Sequence, residues 1–588
     1  MSRCWLYPLC ASAVASASLA AGPGHFLAKD GRSAYRIVVA REAAPAEQLA
    51  ASELQSYLRQ ATGAELPLVP ELRALVRAGE PSVFVGGGRL QQQAVAVTEA
   101  AELGGEEFVI RSAGPHLAIV GGRPRGTLYG VYTFLENYLG VRWLTSRVTH
   151  VPRRPTVPLP SVTRRERPAF EYREVFFFDA FDGAWAAHNK TNGHTTRLTP
   201  EQGGKYPWAW YPHHTFAWLL PHDQYFAEHP EYYMQHEDGR RLPMGLCLTN
   251  RDTVRLVSER VRQWMREQPQ MRVFSVSQND GRYNCRCANC AALDAAEGSP
   301  QGSLLTFVNA VADAVRQEFP DNLVETLAYD YSMAPPKTVR PRSNVAIRFC
   351  MWLDADTNQR LLREWRKLTP NLYVWDYVTG FTHFLVPFPN LYQLQPAARL
   401  YRDVGVLGVL HQGNYQSIGG GLNEIQAYLL AKLLWDPDYD VDAGIDEFLE
   451  LYYGRAAPYL REYINRLHEG LGGPGGKPLP PEDPTWAEVF KGWWLVHPPT
   501  AYLNPQRMAR YVELFDRAEA AVSDNDDLLW RVRLSRMQIQ TVQLATMAVD
   551  AEAREPLLDA YFATADHWNV TRYGEFKSVA DFRREMGR

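Results

Sequence analysis

The chain has 588 residues, too many for one compact core, and should fold as about three or four domains. With a net charge of -4, no basic excess argues for nucleic-acid binding, and 46% hydrophobic residues is ordinary for a globular protein. No window beyond the N-terminus is long and apolar enough to span a membrane, while 16 Trp and 30 Tyr suit stacking against the C–H faces of sugars.

Residues 1–22 read as an export signal. Arg3 is a minimal positive region, Leu6 to Ala21 is small and apolar, and Ala17-Ser18-Leu19-Ala20-Ala21 offers small residues for cleavage. A periplasmic or secreted protein is expected, and Cys4 and Cys10 would leave with the leader. Residues 35–150 predict a small α/β domain. Tyr35 to Ala40 and Ser82 to Gly88 are strands, and Pro45 to Thr62 is a helix stopped by Gly63. Phe108 to Ile110 pairs with Leu117 to Gly121 as a hairpin, and Gly126 to Leu139 is a second helix. Gly86-Gly87-Gly88 lacks the Lys and Ser/Thr of a phosphate loop and reads as a turn. Residues 151–168 are Pro/Arg-rich and predict a linker.

Between 169 and 436, short apolar runs alternate with helical segments. The runs are Tyr172 to Phe178, Val273 to Ser277, Val324 to Tyr329, Val345 to Met351, Leu372 to Trp375 and Val406 to Leu410. Continuous apolar strands alternating with helices predict parallel strands buried on both faces. Five or six clear strands, with ambiguous ones near Thr215 to Leu220, predict a (β/α)8 barrel; an open doubly wound sheet is the competing fold. Residues 437–588 predict a helical C-terminal domain. Its segments are Ile445 to Tyr453, Pro458 to Gly470, Pro505 to Val522 and Leu528 to Asp550, with a Gly/Pro-rich loop from Gly472 to Pro484 and no convincing strand.

Barrel sites form where strands end. Those ends offer Arg173, Glu174 and Asp179; Gln278, Asn279 and Asp280; Tyr329, Asp330 and Tyr331; Trp352 and Asp354; Trp375, Asp376 and Tyr377; then His411, Gln412 and Asn414. Rings for stacking, amides and Arg for hydroxyls, and carboxylates for acid and base make up a sugar site. Glycoside hydrolysis needs two carboxyl groups across the scissile bond. Asp280 is expected as the proton donor, its pKa raised by burial among aromatic residues, with Asp376 or Asp330 as its partner. Arg173, Asn279, Tyr329, Trp375, Tyr377, His411 and Gln412 are expected to bind the sugar. The segment Trp208 to His222, with His213 and His214, is expected to wall the barrel mouth. A turn or helix-cap role competes for each Asp, and a salt bridge competes for Arg173.

Cys285, Cys287 and Cys290 stand in C-x-C-x-x-C spacing just after Asp280, and Cys247 precedes them. Four thiolates suit structural zinc; two disulfides, or reduced structural thiols, are the alternatives. A Cys4 shell leaves no open position, so no catalytic cofactor is expected.

Ala51-Ser52-Glu53-Leu54-Gln55-Ser56-Tyr57-Leu58 with Thr62-Gly63, and Arg125 to Glu136, resemble the N-terminal domain of β-hexosaminidases and α-glucuronidases. The barrel portion is similar to the bacterial domain of unknown function 4838 family. It does so through Cys247-Leu248-Thr249-Asn250, Gln278-Asn279-Asp280 with the cysteines, Asn309, Tyr329, and Leu422-Asn423-Glu424 through Trp435-Asp436-Pro437. The resemblance implies a catalytic barrel in polysaccharide degradation, and Arg173 matches the sugar-binding arginine at the end of the first strand. The adjacent Asp-Glu pair of family 20 hexosaminidases is here Asn279-Asp280, which argues against acetamido-assisted catalysis. A glycosidase acting on a polysaccharide or oligosaccharide is therefore expected, with a non-catalytic carbohydrate-binding barrel as the main rival and a metal-dependent hydrolase using the two histidines as the third.

Overall fold

The computed structural model describes residues 21–73, 80–351, 353–469, 502–546 and 551–588. Residues 1–20 of the expected export signal, Trp352, the loop Gly472 to Pro484 and the last four residues of the helix expected to end at Asp550 lie outside them. The described chain forms two compact units.

The first unit is built on a six-stranded sheet. Its order is Thr163–Glu166, Phe108–Ala113, His116–Gly121, Ser82–Val85, Arg36–Val39 and Leu68–Pro70. Helix Pro45–Thr62 begins with Pro in its first turn, where a missing N–H costs nothing. It ends where Gly63 takes the left-handed conformation, φ 79°. Residues 151–168 are not a linker. They carry two strands, Val157–Pro160 paired with Ala21–Ala28, and Thr163–Glu166 added to the sheet edge beside Phe108–Ala113. Their proline content misled, because prolines are tolerated at sheet edges.

The second unit holds six parallel strands: β1 (Tyr172–Phe176), β2 (Val273–Ser275), β3 (Leu323–Ala328), β4 (Val345–Cys350), β5 (Leu372–Tyr377) and β6 (Gly408–Gln412). Their spatial order is β1-β6-β5-β4-β3-β2, a curled sheet whose first and last strands are joined through irregular chain. Asn192 N–H donates to Arg173 O of β1 (3.2 Å), Tyr206 N–H donates to Asn192 O (2.7 Å), and Trp208 bridges in parallel to Val273 of β2. Segments around 192 and 206–208 thus take the places of two regular strands. Phe216–Leu219, expected to supply one, is a short helix.

Helices Gln301–Val315, Ala355–Leu368, Leu394–Val404 and Asn423–Trp435 pack outside the sheet. Ala355–Leu368 buries Asn358, Leu361, Leu362 and Trp365, one face of a 3.6-residue period. The barrel interior is filled by Tyr172, Trp208, Leu327, Tyr373, Trp375 and Leu410. The C-terminal helices and the barrel form one compact unit. That region also contains a small hairpin, Arg572–Gly574 with Lys577–Ser578, where no strand was expected.

Candidate functional site

Side chains alternate across a strand, so every second residue of a barrel strand enters the interior. On β5, Tyr373 and Trp375 point inward, whereas Leu372 and Val374 join the helix layer. At the carboxyl ends of the strands the inward residues line a cleft of about 670 Å³. Tyr329, Cys350, Trp375, Tyr377 and Gln412 line it together with Asp280, Gly281 and Asp330, and His213 packs against Trp375 and His214 against Tyr329. That volume is in the range of a small-ligand site. His213 packs edge-on to Trp375 with ring centroids 4.8 Å apart, and Trp375 Nε1–H donates to Gln412 Oε1 at 2.7 Å. The His214 ring N–H donates to Gln278 O at 2.7 Å, which fixes the loop expected to wall the mouth. Burial, followed by the nearby Arg348 charge, holds His213 well below the usual histidine range. Burial also pushes the Cys350 thiol up to about 12, so Cys350 is no nucleophile at neutral pH.

The structure therefore gathers Asp280, Asp330, Tyr329, Trp375, Tyr377 and Gln412. Four residues expected beside them stand elsewhere. Asp376 shares the parity of Val374 and faces the helix layer, where its Oδ2 lies 3.2 Å from His411 Nδ1 and it bonds the Tyr401 hydroxyl. His411 is outward for the same reason and 1% exposed. Arg173 is fully buried behind β1, its Nε donating to Lys190 O (2.8 Å) and its Nη1 to Phe170 O (2.7 Å), with the guanidinium over the Trp435 ring. It holds backbone rather than sugar. Asn279 ties the short helix Phe216–Leu219 to the strand Arg241–Leu246, accepting from Ala217 N–H (3.1 Å) and donating to Met244 O (2.8 Å). Among the other strand-end residues, Asp354 caps helix Ala355–Leu368 by accepting from Thr357 N–H (2.9 Å). Glu174 is enclosed in the barrel with His194 and Thr195.

Asp280 is exposed, so the burial expected for it is not found; its Oδ1 accepts from the Tyr329 hydroxyl at 3.1 Å. Asp330 is engaged by Arg282, whose Nε lies 3.0 Å from its Oδ1. A further carboxyl group completes the cleft, and sequence reasoning missed it. Glu575 sits in the turn of the C-terminal hairpin, beside Phe576 and Lys577, and lines the same cleft as Asp280. Its N–H donates to Phe381 O (2.6 Å), and its Oε1 accepts from the Tyr415 hydroxyl (3.0 Å). Burial raises its pKa above the ordinary glutamate value; the Tyr415 bond opposes that, and the Asp280 charge adds to it. Two carboxyl groups on one ring-lined cleft, one exposed and one favoured in its neutral form, are what an acid and a base require.

Glu424 begins helix Asn423–Trp435 and lines a separate cavity of about 30 Å³ with Asp179, Arg147 and Asn414. Burial, then repulsion from Asp179, pushes it up to about 7, against an attraction from Arg147. A folded-state pKa above the unfolded value means the native state holds the extra proton. The associated stability is present below about pH 4.5 and lost as pH rises through about 7. Glu424→Gln should therefore leave stability unchanged near pH 4 and raise it above about pH 7.5. The gain should be about 2 kcal/mol once partial exposure is discounted, read from urea midpoints at the two pH values.

The four cysteines Cys247, Cys285, Cys287 and Cys290 converge, with all four sulfurs within 4.8 Å of one another. Among the described residues no comparable group forms around His213 and His214.

Residues 143–465 match the model of a domain of unknown function, DUF4838, and residues 27–134 match the glycosyl hydrolase family 67 N-terminus. No curated protein matches the chain. Among solved structures, the chain is similar to a family GH115 4-O-methyl-α-glucuronidase with specificity for decorated arabinogalactans. That likeness has a TM-score of 0.54 and 14% identity, over 94% of this chain and 78% of the other. CpGH84B aligns with a TM-score of 0.44 and 11% identity, over 96% and 98%. The fold is glycoside hydrolase-like. With its match running from the start of the second unit, through the Asp280 strand and the cysteines, to beyond Glu424, the chain belongs to the DUF4838 family.

Proposed function

We propose that the protein is a glycoside hydrolase in which Glu575 protonates the leaving oxygen and Asp280 acts as base or nucleophile. The observation that carries this reading is the pairing, on one cleft, of a half-buried glutamic acid with a raised pKa and an exposed aspartate that helps to raise it. The roles differ from the sequence expectation because Asp280 lacks the burial that a proton donor needs. Trp375, Tyr377 and Phe576 offer rings for stacking, Gln412 and Tyr329 offer polar groups for hydroxyls, and Lys577 gives a countercharge for an acidic sugar. The substrate is thus a glycan, with uronic-acid glycosides the first class to assay. The leader read in residues 1–22 would take the enzyme to the periplasm or medium, where such polymers lie.

Asp280→Asn should lower turnover about 10³-fold while binding of the same glycan changes by less than about threefold. The assay is reducing-sugar release from arabinogalactan, glucuronoxylan and pectin, alongside p-nitrophenyl glycosides, with binding by calorimetry. Unchanged turnover would remove Asp280 from the mechanism. Binding with no sugar released by the wild type from any of these would favour the carbohydrate-binding reading.

A further inference from the structure

We propose that Cys247, Cys285, Cys287 and Cys290 hold one structural zinc ion, which fixes the far end of the loop that carries Asp280. The inference stands whether or not Asp280 is catalytic.

The geometry decides among the three alternatives that spacing left open. A disulfide needs sulfurs about 2.05 Å apart. Here Cys247 Sγ and Cys287 Sγ are 3.7 Å apart, and all four cysteines are free thiols. Four sulfurs at about 2.3 Å from a central zinc have edges of about 3.8 Å. The observed edge matches, and no pair exceeds 4.8 Å. Four uncharged thiols have no reason to crowd in this way, because each is a weak donor and a weak acceptor. A cation at the centre gives them one.

The surroundings suit thiolates. Gln235 N–H points at Cys285 Sγ (3.3 Å), Arg241 Nη1 lies 3.9 Å from the same sulfur, and the Thr249 hydroxyl is 3.2 Å from Cys290 Sγ. Such outer donors are the usual complement of a metal-thiolate centre. The four residues are buried and come from two chain segments. Cys247 follows strand Arg241–Leu246, and the other three stand at or just before the start of helix Ala288–Glu297. Arg286 N–H donates to Gln235 O (2.7 Å), in the strand Tyr233–Gln235 that pairs with Arg241–Leu246. The loop from Asp280 to Asn284 then runs between the end of β2 and the metal knot. Four protein ligands close the coordination shell, so the ion is structural.

The test uses the full chain, purified without chelator. Metal analysis should find one zinc per chain in the wild type and in Cys350→Ser, and less than about a tenth of that in Cys290→Ser or Cys287→Ser. Should those variants not fold, the wild type refolded with cobalt should show the strong near-ultraviolet thiolate-to-metal absorption of a tetrahedral sulfur site. All four cluster thiols titrating along with Cys350 and no metal bound, a mass short of the hydrogens lost to two disulfides, or zinc retained undiminished by soluble Cys290→Ser would each overturn the proposal.

Discussion

Glu575→Gln is expected to lower kcat on a glycan about 10²–10⁴-fold, the usual contribution of a positioned general acid. The size of the loss should follow the leaving group. An alkoxide leaves poorly without a proton, whereas dinitrophenolate leaves unaided. The variant should therefore be crippled on a polysaccharide or phenyl glycoside and within about tenfold of wild type on the dinitrophenyl glycoside. Glutamine keeps the acceptor for the Tyr415 hydroxyl, so the hairpin should stay in place. An equal loss on both substrates would assign Glu575 to binding or folding rather than to proton transfer.

Glu325→Gln is expected to cost about 3–5 kcal/mol of barrel stability, because it leaves Arg348 as an unpaired charge in the interior. Both side chains are fully buried, and Arg348 Nε lies 2.7 Å from Glu325 Oε1. The guanidinium also sits over the Trp208 ring at 4.4 Å and the Trp375 ring at 5.2 Å, so it supports the floor of the cleft. Replacing both partners, as Glu325→Leu with Arg348→Met, should recover most of the loss, since no buried charge then remains. Urea unfolding followed by tryptophan fluorescence reads both variants. A single variant as stable as wild type would contradict the assignment of this pair as the compensated charge of the core.

Much of the fold was legible because its signals are local. The six apolar runs became β1 to β6, shifted by at most two residues, and Pro45 to Thr62 formed the helix that its terminal Pro and Gly define. The irregular segments that close the barrel were not legible. Asn192 and Tyr206 lie in polar or proline-interrupted chain with no period-two pattern, and only tertiary hydrogen bonds make them act as strands. Half of the site was legible for the same reason. Strand ends named Asp280, Tyr329, Trp375 and Gln412, but a barrel strand is apolar on both faces, so residue type alone does not say which neighbour points inward. Parity would have separated Trp375 from Asp376 and Gln412 from His411, because Tyr373, Trp375 and Tyr377 are the large rings of one face. Glu575 was beyond reach. Its hairpin strands are three and two residues long, and it meets Asp280 across almost three hundred positions of sequence.

Asp280 and Glu575 acting as one acid–base pair should be visible in the dependence of kcat/KM on pH for wild type and Glu575→Gln with a phenyl glycoside. The wild type should show an alkaline limb above the ordinary glutamate range, where Glu575 loses its proton, and the variant should lose that limb along with most of the rate. Wild-type rates from the variant, with the limb in the same place, would rule the pairing out.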